Sequence, residues 1–378
     1  MESGEGRATL WDGLGSIADH RQASGRRFEL QSILGIGLGA VLAGRASLAG
    51  IARWGRGLSV RQLRAFGIER DRAPCHATYH YVFKGLDVIA LERVLGDWAG
   101  SVSGEGGHVS MDGKTARGSR HGEVPGVHLL AAYSDSLQGV LGQCRVPPET
   151  NEITAALHLL KAVRIQGKVV TGDAIFAQKA VCEAVIERGG DYAFTVKANQ
   201  PQLRDDIATV FAKPVSPWEQ RRWEADIDRA VESGKGHGRI EHRELWSSES
   251  LNAYLAWPGV KQVCRIVRRR TVGRETASET VYAITSLSRQ RAGARDLLRL
   301  SRLHWGIENK LHGVRDVTFR EDACRVRAPA TVQAFAAFRN TAITVIRRLG
   351  FINTVEPLEH FAEFRNHSVQ IVRQGRIE

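Results

Sequence analysis

Apolar positions in the first hundred residues recur at helical spacing, in runs at Leu30–Leu42, Leu58–Phe66 and Tyr79–Leu95. Residues from Leu10 to about Leu95 therefore predict a helical unit. It is interrupted at Arg72-Ala73-Pro74, because the residue before a proline is pushed out of the helical region. Leu30 to Gly44 carries no charge, but its 15 residues, several of them glycine, fall short of the ~20 a membrane span needs. A buried helix and no membrane contact are expected there. Ser101 to Gly107 is glycine-rich and reads as a linker.

From His108 the pattern changes to short apolar runs separated by turn residues, predicting strands over 108–112, 127–134 and 139–146. A helix follows over 151–163, then a strand over 168–171, a helix over 178–188 closed by Gly189, and a strand over 192–196. The order βββαβαβ is that of an α/β, ribonuclease-H-like mixed sheet flanked by helices. Between Pro214 and Gln290 the helical period fades, and β-branched or aromatic runs such as 262–267 and 280–285 alternate with charge clusters, which predicts an inserted antiparallel module. A long helix resumes over 294–314 and an apolar one over 331–349, followed by a charged tail expected at the periphery. The resulting division is a helical N-terminal domain (1–100), the core's first part (101–213), a β-rich insertion (214–290), the core's second part (291–350) and a tail (351–378).

Charge narrows the partners. Lysine and arginine number 53 against 41 acids, a net charge of +12, which favours a polyanionic partner without choosing between DNA, RNA and an anionic membrane. The five cysteines are far apart and form no CxxC pair, which argues against a disulfide framework and a thiolate zinc site and fits a cytoplasmic chain. Met1 to Trp11 lacks the basic-then-apolar order of a signal peptide. No HExxH, Walker-type glycine loop or GxSxG elbow is present.

Three acids stand out. Asp112 closes the first core strand, and Asp173 follows the strand after the first core helix; in this topology those strands are neighbours, and ligand sites collect beyond strand ends. Either aspartate alone could be an ordinary turn residue. On the helix over 294–314, Leu300, Leu303, Ile307, Leu311 and Val314 form one stripe, while Ser301, His304, Glu308, His312 and Arg315 share the adjacent face. Three carboxylates from separate elements make a sensible cage for two Mg2+ or Mn2+ ions, which take hard oxygen ligands and serve in-line phosphoryl transfer. Lys114, Arg117, Lys179, Lys310 and Arg315 lie close to these acids in sequence and suit phosphate contacts. Arg265, Arg268, Arg269 and Arg270 either extend that track or form a solvated strand. Trp305 and Phe319 are expected as core anchors.

The string from His304 to Asp322, HWGIENKLHGVRDVTFRED, resembles the signature of bacterial insertion-sequence transposases of the H-repeat-associated group within the IS-four superfamily. Met111-Asp112-Gly113-Lys114, Thr171-Gly172-Asp173-Ala174, the Tyr192–Gln200 stretch and His237-Gly238-Arg239-Ile240-Glu241 look like the same family, as do Ile33–Trp54 and Arg72–Asp87 in the helical unit. The resemblance implies that Asp112, Asp173 and Glu308 are the DDE catalytic metal ligands and that Arg315 takes the place of a basic residue seven beyond the glutamate. It implies double-stranded DNA as partner, both the element's terminal inverted repeats and the target, and a homodimer in the active complex. Ser301 and His304 stand where the wider superfamily has tyrosine and arginine, which assigns His304 to the phosphate contacts. Gly313 stands where relatives commonly have tryptophan. The competing readings are an inactive or domesticated DNA-binding derivative and a ribonuclease-H-like DNA nuclease.

Overall fold

The computed structural model describes residues 9–236 and 238–376; residues 1–8 of the amino-terminal segment and His237 of the His237–Glu241 motif lie outside the described residues. Its strands, numbered along the chain, are β1 His108–Ala116, β2 Val127–Ser134, β3 Gly139–Val146, β4 Val169–Gly172, β5 Asp191–Val196, β6 Asp228–Gly236, β7 Arg239–Ser248, β8 Gln262–Val272 and β9 Glu275–Thr285. All nine hydrogen-bond into one sheet in the order β3-β2-β1-β4-β5-β9-β8-β7-β6. Antiparallel β3-β2-β1 joins parallel β1-β4-β5, the ribonuclease-H-like arrangement that the strand and helix order predicts.

The segment over 214–290 is β-rich and antiparallel, as its pattern predicts, and its strands extend the core sheet. Left alone, β5 would end the sheet with a row of unpaired amides and carbonyls, an aggregation-prone edge. Instead β9 pairs with it, Ala193 opposite Thr285, and β8, β7 and β6 follow by antiparallel hairpin addition. Two helices that the periodicity did not announce, Pro201–Val210 and Pro217–Asp226, lead into it.

Side chains alternate across the sheet, so each face has its own core. Leu130 and Ala132 of β2 pack under the helices Glu152–Ala162 and Lys179–Glu187, while Ala131 and Tyr133 turn to Phe335 and Phe338 of the Pro329–Arg348 helix. On that second face the Ala294–His304 helix covers β7, β8 and β9 through Leu297 and Leu298.

The N-terminal helices share a single core with the C-terminal ones. Leu30–Leu42 is buried on every side but Gln31, as a helix apolar all round must be. Its glycines permit this enclosure: a Cβ at Gly35 would lie 2.7 Å from Trp11, and one at Gly37 3.0 Å from Phe338. The tail is not peripheral either. Helices Val355–Glu363 and Arg365–Gln374 bury Leu358, Phe361, Val369, Ile371 and Val372 against this same cluster, an apolar spacing that their many charges obscure in sequence. Among the described residues no helix is long and apolar enough to cross a membrane. All five cysteines are free.

Candidate active site

The parallel pairing of β1 with β4 ends at Met111 opposite Gly172. Asp112 and Asp173 are the next residues of each strand, so they leave a pair of backbones about 4.8 Å apart side by side. β1 itself runs on to Ala116, longer than its apolar run predicts, because its later half continues to pair with β2. The turn carrying Asp173 is clamped from below: a Cβ at Gly172 would lie 2.6 Å from the buried ring of Phe176, so only glycine fits.

Glu308 begins a wide turn. After His304 the chain continues helically, but over Glu308–His312 the hydrogen bonds span five residues, and Gly313 N–H donates to the Glu308 carbonyl. Such π-turns insert one residue into the helical phase and recur at functional sites. His312 faces the acids: its Nδ1 lies 3.3 Å from Asp112 Oδ2 and 3.5 Å from Glu308 Oε2. One ligand atom from each of Asp112, Glu308 and His312 falls within 4.8 Å of the others. Oxygen donors so placed, flanked by a buried imidazole whose Nε2 has no partner, fit a hard divalent cation.

Asp173 is held from the other side by a chain of hydrogen bonds. His304 Nε2 meets Asp173 Oδ1 at 3.4 Å, and His304 Nδ1 meets Thr171 Oγ1 at 3.2 Å. Thr171 Oγ1 meets His108 Nε2 at 2.7 Å, His108 Nδ1 meets Asp135 Oδ2 at 2.7 Å, and Lys310 Nζ donates to Asp135 Oδ1 at 2.7 Å. The chain thus starts at one acid and returns to the helix carrying another. The hydrogen bond from His304 holds the Asp173 carboxyl below its ordinary pKa against partial burial, and Lys197 and Arg268 act in the same direction. Burial pushes Asp135 upward, but His108 and Lys310 more than offset it and leave its carboxyl below the usual value.

The expected phosphate contacts divide. Arg315 does not reach the surface: it is 0% exposed, and its Nε and Nη2 each donate to Glu321 at 2.9 Å. Lys114 is only 10% exposed and donates to Asp316 at 2.7 Å, so a phosphate would have to displace that carboxylate. Lys310 is engaged by Asp135, and His304 faces Asp173. Lys179 is exposed above Trp257, and Arg117 is 83% exposed beyond the end of β1.

Other residues enter that sequence reasoning missed or misplaced. A cavity of about 180 Å3 beside Asp173 is bordered by Lys197, Arg268, Glu279, His304 and Trp305. Lys197 follows β5 just as Asp173 follows β4, a positional signal available in the sequence. Trp305 is no core anchor: it is 49% exposed and lies under the Arg268 guanidinium, 5.3 Å from it. Phe319 is buried as expected. Arg265 lies over Trp246, while Arg269 and Arg270 are exposed.

The family model described as "Transposase DDE domain" matches residues 103–345, a span that contains all three acids. The chain belongs to the DDE transposase family. A second model, described as DDE_Tnp_1-associated, matches residues 11–99, the helical unit. The transposase is 28% identical over 349 residues to the H repeat-associated putative transposase YhhI of Escherichia coli K12, covering 89% of this chain and 90% of that one. It is 34% identical over 279 residues to an uncharacterized protein in the dhlA 3′ region of Xanthobacter autotrophicus, covering 71% of this chain and 92% of the relative. Among solved structures it is similar to the piggyBac transposase synaptic complex with hairpin DNA, at 11% identity and a TM-score of 0.42, covering 98% of this chain and 79% of that one. A DDE transposase is an enzyme of DNA recombination that works on DNA with divalent metal.

Proposed function

We propose that Asp112, Asp173 and Glu308 hold two Mg2+ or Mn2+ ions, and that this chain cuts DNA at the terminal inverted repeats of its element and joins the freed 3′-hydroxyls to target DNA. The observation that supports the reading is the meeting of Asp112 and Glu308 at His312, with Asp173 just past the strand paired to that of Asp112 and bonded to His304. The ions would lower the pKa of a water or hydroxyl nucleophile and stabilise the leaving oxygen. The chain's own part is orientation and charge: His312 keeps Asp112 and Glu308 together, His304 fixes Asp173, and Lys197 and Arg268 present positive charge beside it. Joining two ends requires two active sites, so the working complex is a homodimer on DNA, and the free cysteines suit the cytoplasm.

The test is a gel assay on labelled duplex carrying the element's end. Nicking at the repeat boundary is expected with Mg2+ or Mn2+ and is expected to stop on chelation. Binding without any metal-dependent nicking would favour an inactive DNA-binding derivative instead, and cleavage set by DNA structure rather than by the end sequence would favour a repair nuclease.

The hydrogen-bond chain behind Asp173 gives a second expectation. Thr171→Val keeps the shape of the side chain but removes the hydroxyl that joins His108 to His304. Metal affinity is expected to fall by roughly 10- to 100-fold, the usual cost of losing a partner that orients a ligand. Thr171→Ser should restore it. Titration calorimetry with Mn2+ reads this directly; equal affinities for the valine variant and the parent would mean that the chain of bonds does not orient Asp173.

A further inference from the structure

The replacement of Arg315, Lys114 and Lys310 by ion pairs leaves few free cations next to the acids, yet the chain carries a net charge of +12. Unpaired arginines do gather elsewhere, beside two histidines. A groove of about 690 Å3 separates the N-terminal helical unit from the segment 320–328, which links the glutamate-bearing helix to Pro329–Arg348. Its basic lining is His76 and His80 on one wall and Arg320, Arg325 and Arg327 on the other, and among the described residues no carboxylate lines it. All five are exposed, and none forms an ion pair or a side-chain hydrogen bond. Most other arginines near the site are committed to acids, so this cluster is electrostatically unsatisfied. Arg320 is also held in a left-handed conformation, φ 51°, which is unfavourable for a non-glycine residue, at the start of this wall.

The groove is mechanically continuous with the catalytic strand. Arg117 N–H, at the end of β1, donates to Asp322 Oδ1 at 3.1 Å, and Gly118 lies so close to the Cys324 carbonyl that no Cβ would fit. From Asp112 to Arg117 is five residues of extended chain, about 17 Å. That is the rise of roughly five base pairs of B-form DNA.

We infer that this groove, resting on the transposase reading above, is a docking track for the phosphate backbone of double-stranded DNA several base pairs away from the scissile bond. A groove whose charged lining among the described residues is three arginines and no acid complements a polyanion, and contacts of this kind position a duplex without reading its sequence. The N-terminal unit is then part of the DNA-binding surface, joined to the active site through the 320–328 segment.

The experiment uses the full chain and two metal-free probes: a long mixed-sequence duplex, and a short one extending only a few base pairs from the cleavage position. Arg325→Ala/Arg327→Ala and His76→Ala/His80→Ala change exposed side chains on opposite walls, and thermal melts should match the parent. For the arginine pair, the plot of log affinity against log salt for the long duplex is expected to flatten by about 1.8, two phosphate contacts' worth. Short-duplex affinity and metal-dependent nicking of it should not change. An unchanged salt slope in a chain that still nicks overturns the groove and leaves the functional reading intact. A parent chain that never nicks defeats the functional reading whatever the groove does. Loss of self-association with DNA affinity preserved would make the groove a subunit interface and overturn the inference.

Discussion

Asp112→Ala, Asp173→Ala and Glu308→Ala are each expected to leave a folded chain that still binds DNA but no longer cuts it. A bound metal contributes several kcal/mol of charge stabilisation to phosphoryl transfer, so loss of one ligand corresponds to roughly a thousand-fold or more in rate. The three should not be equivalent in the absence of metal. Asp173→Ala leaves His304 bonded to Thr171 alone, whereas Asp112→Ala or Glu308→Ala leaves His312 one carboxylate instead of two. A ligand that binds only the folded state raises stability, so the parent's melting temperature is expected to climb with Mn2+ while the variants' climbs less or not at all. Rates equal to the parent's from any of the three would remove that residue from the site and end the reading of a shared metal centre.

The largest effect on stability is expected away from the acids, at Glu321. This carboxylate is 2% exposed and accepts from Arg315 Nε and Nη2 and from Arg339 Nη1, each at 2.9 Å. Glu321→Gln keeps the shape but leaves two buried guanidinium groups without a counter-charge. Breaking a buried pair from one side costs about 3–5 kcal/mol, so denaturant unfolding should move to markedly lower concentration. Replacing all three residues with apolar ones, Glu321→Leu with Arg315→Met and Arg339→Met, should recover much of the loss. The same triple variant asks whether Arg315 touches DNA. If it is purely structural, cleavage and salt dependence survive; a folded triple variant with weakened DNA binding would return Arg315 to the phosphate contacts.

Glu321 also sets a pH dependence. Burial opposes its ionisation, and the charges of Arg315 and Arg339 overcome that, so its pKa in the folded chain is below the ordinary 4.5. A depressed acid contributes its stability above the unfolded value and loses it as pH falls through the folded value. The parent is therefore expected to lose stability on the acid side of pH 4.5, and Glu321→Gln to show a shallower loss there. Melting curves of both across that range check the sign.

The core of the fold was legible for local reasons. Strands β2 and β3 are short apolar runs bounded by turn residues and the helices after them keep a helical period, so their bounds follow from the pattern, and Asp112 and Asp173 then fall on neighbouring strands. The π-turn was not legible. Nothing in the string from Glu308 to Gly313 distinguishes a five-residue hydrogen bond from a four-residue one, and of the two basic residues that the spacing puts on the Glu308 face, His312 meets the acids while Arg315 is buried on Glu321. The tail was misread for a different reason. Its charges mark the outer face of each helix, and which partner the inner face meets depends on residues hundreds of positions away, the Leu30–Leu42 helix for the final one.

By itself the sequence determined the order of elements, the three acids and the basic character of the chain, because periodicity, turn chemistry and charge are properties of neighbouring residues. Tertiary structure alone decided which cations are free and which are consumed. Ion pairing between Lys114 and Asp316, Lys310 and Asp135, or Arg339 and Glu321 is a matter of distance in space, and burial raises the stake by removing the water that would otherwise serve an unpaired charge.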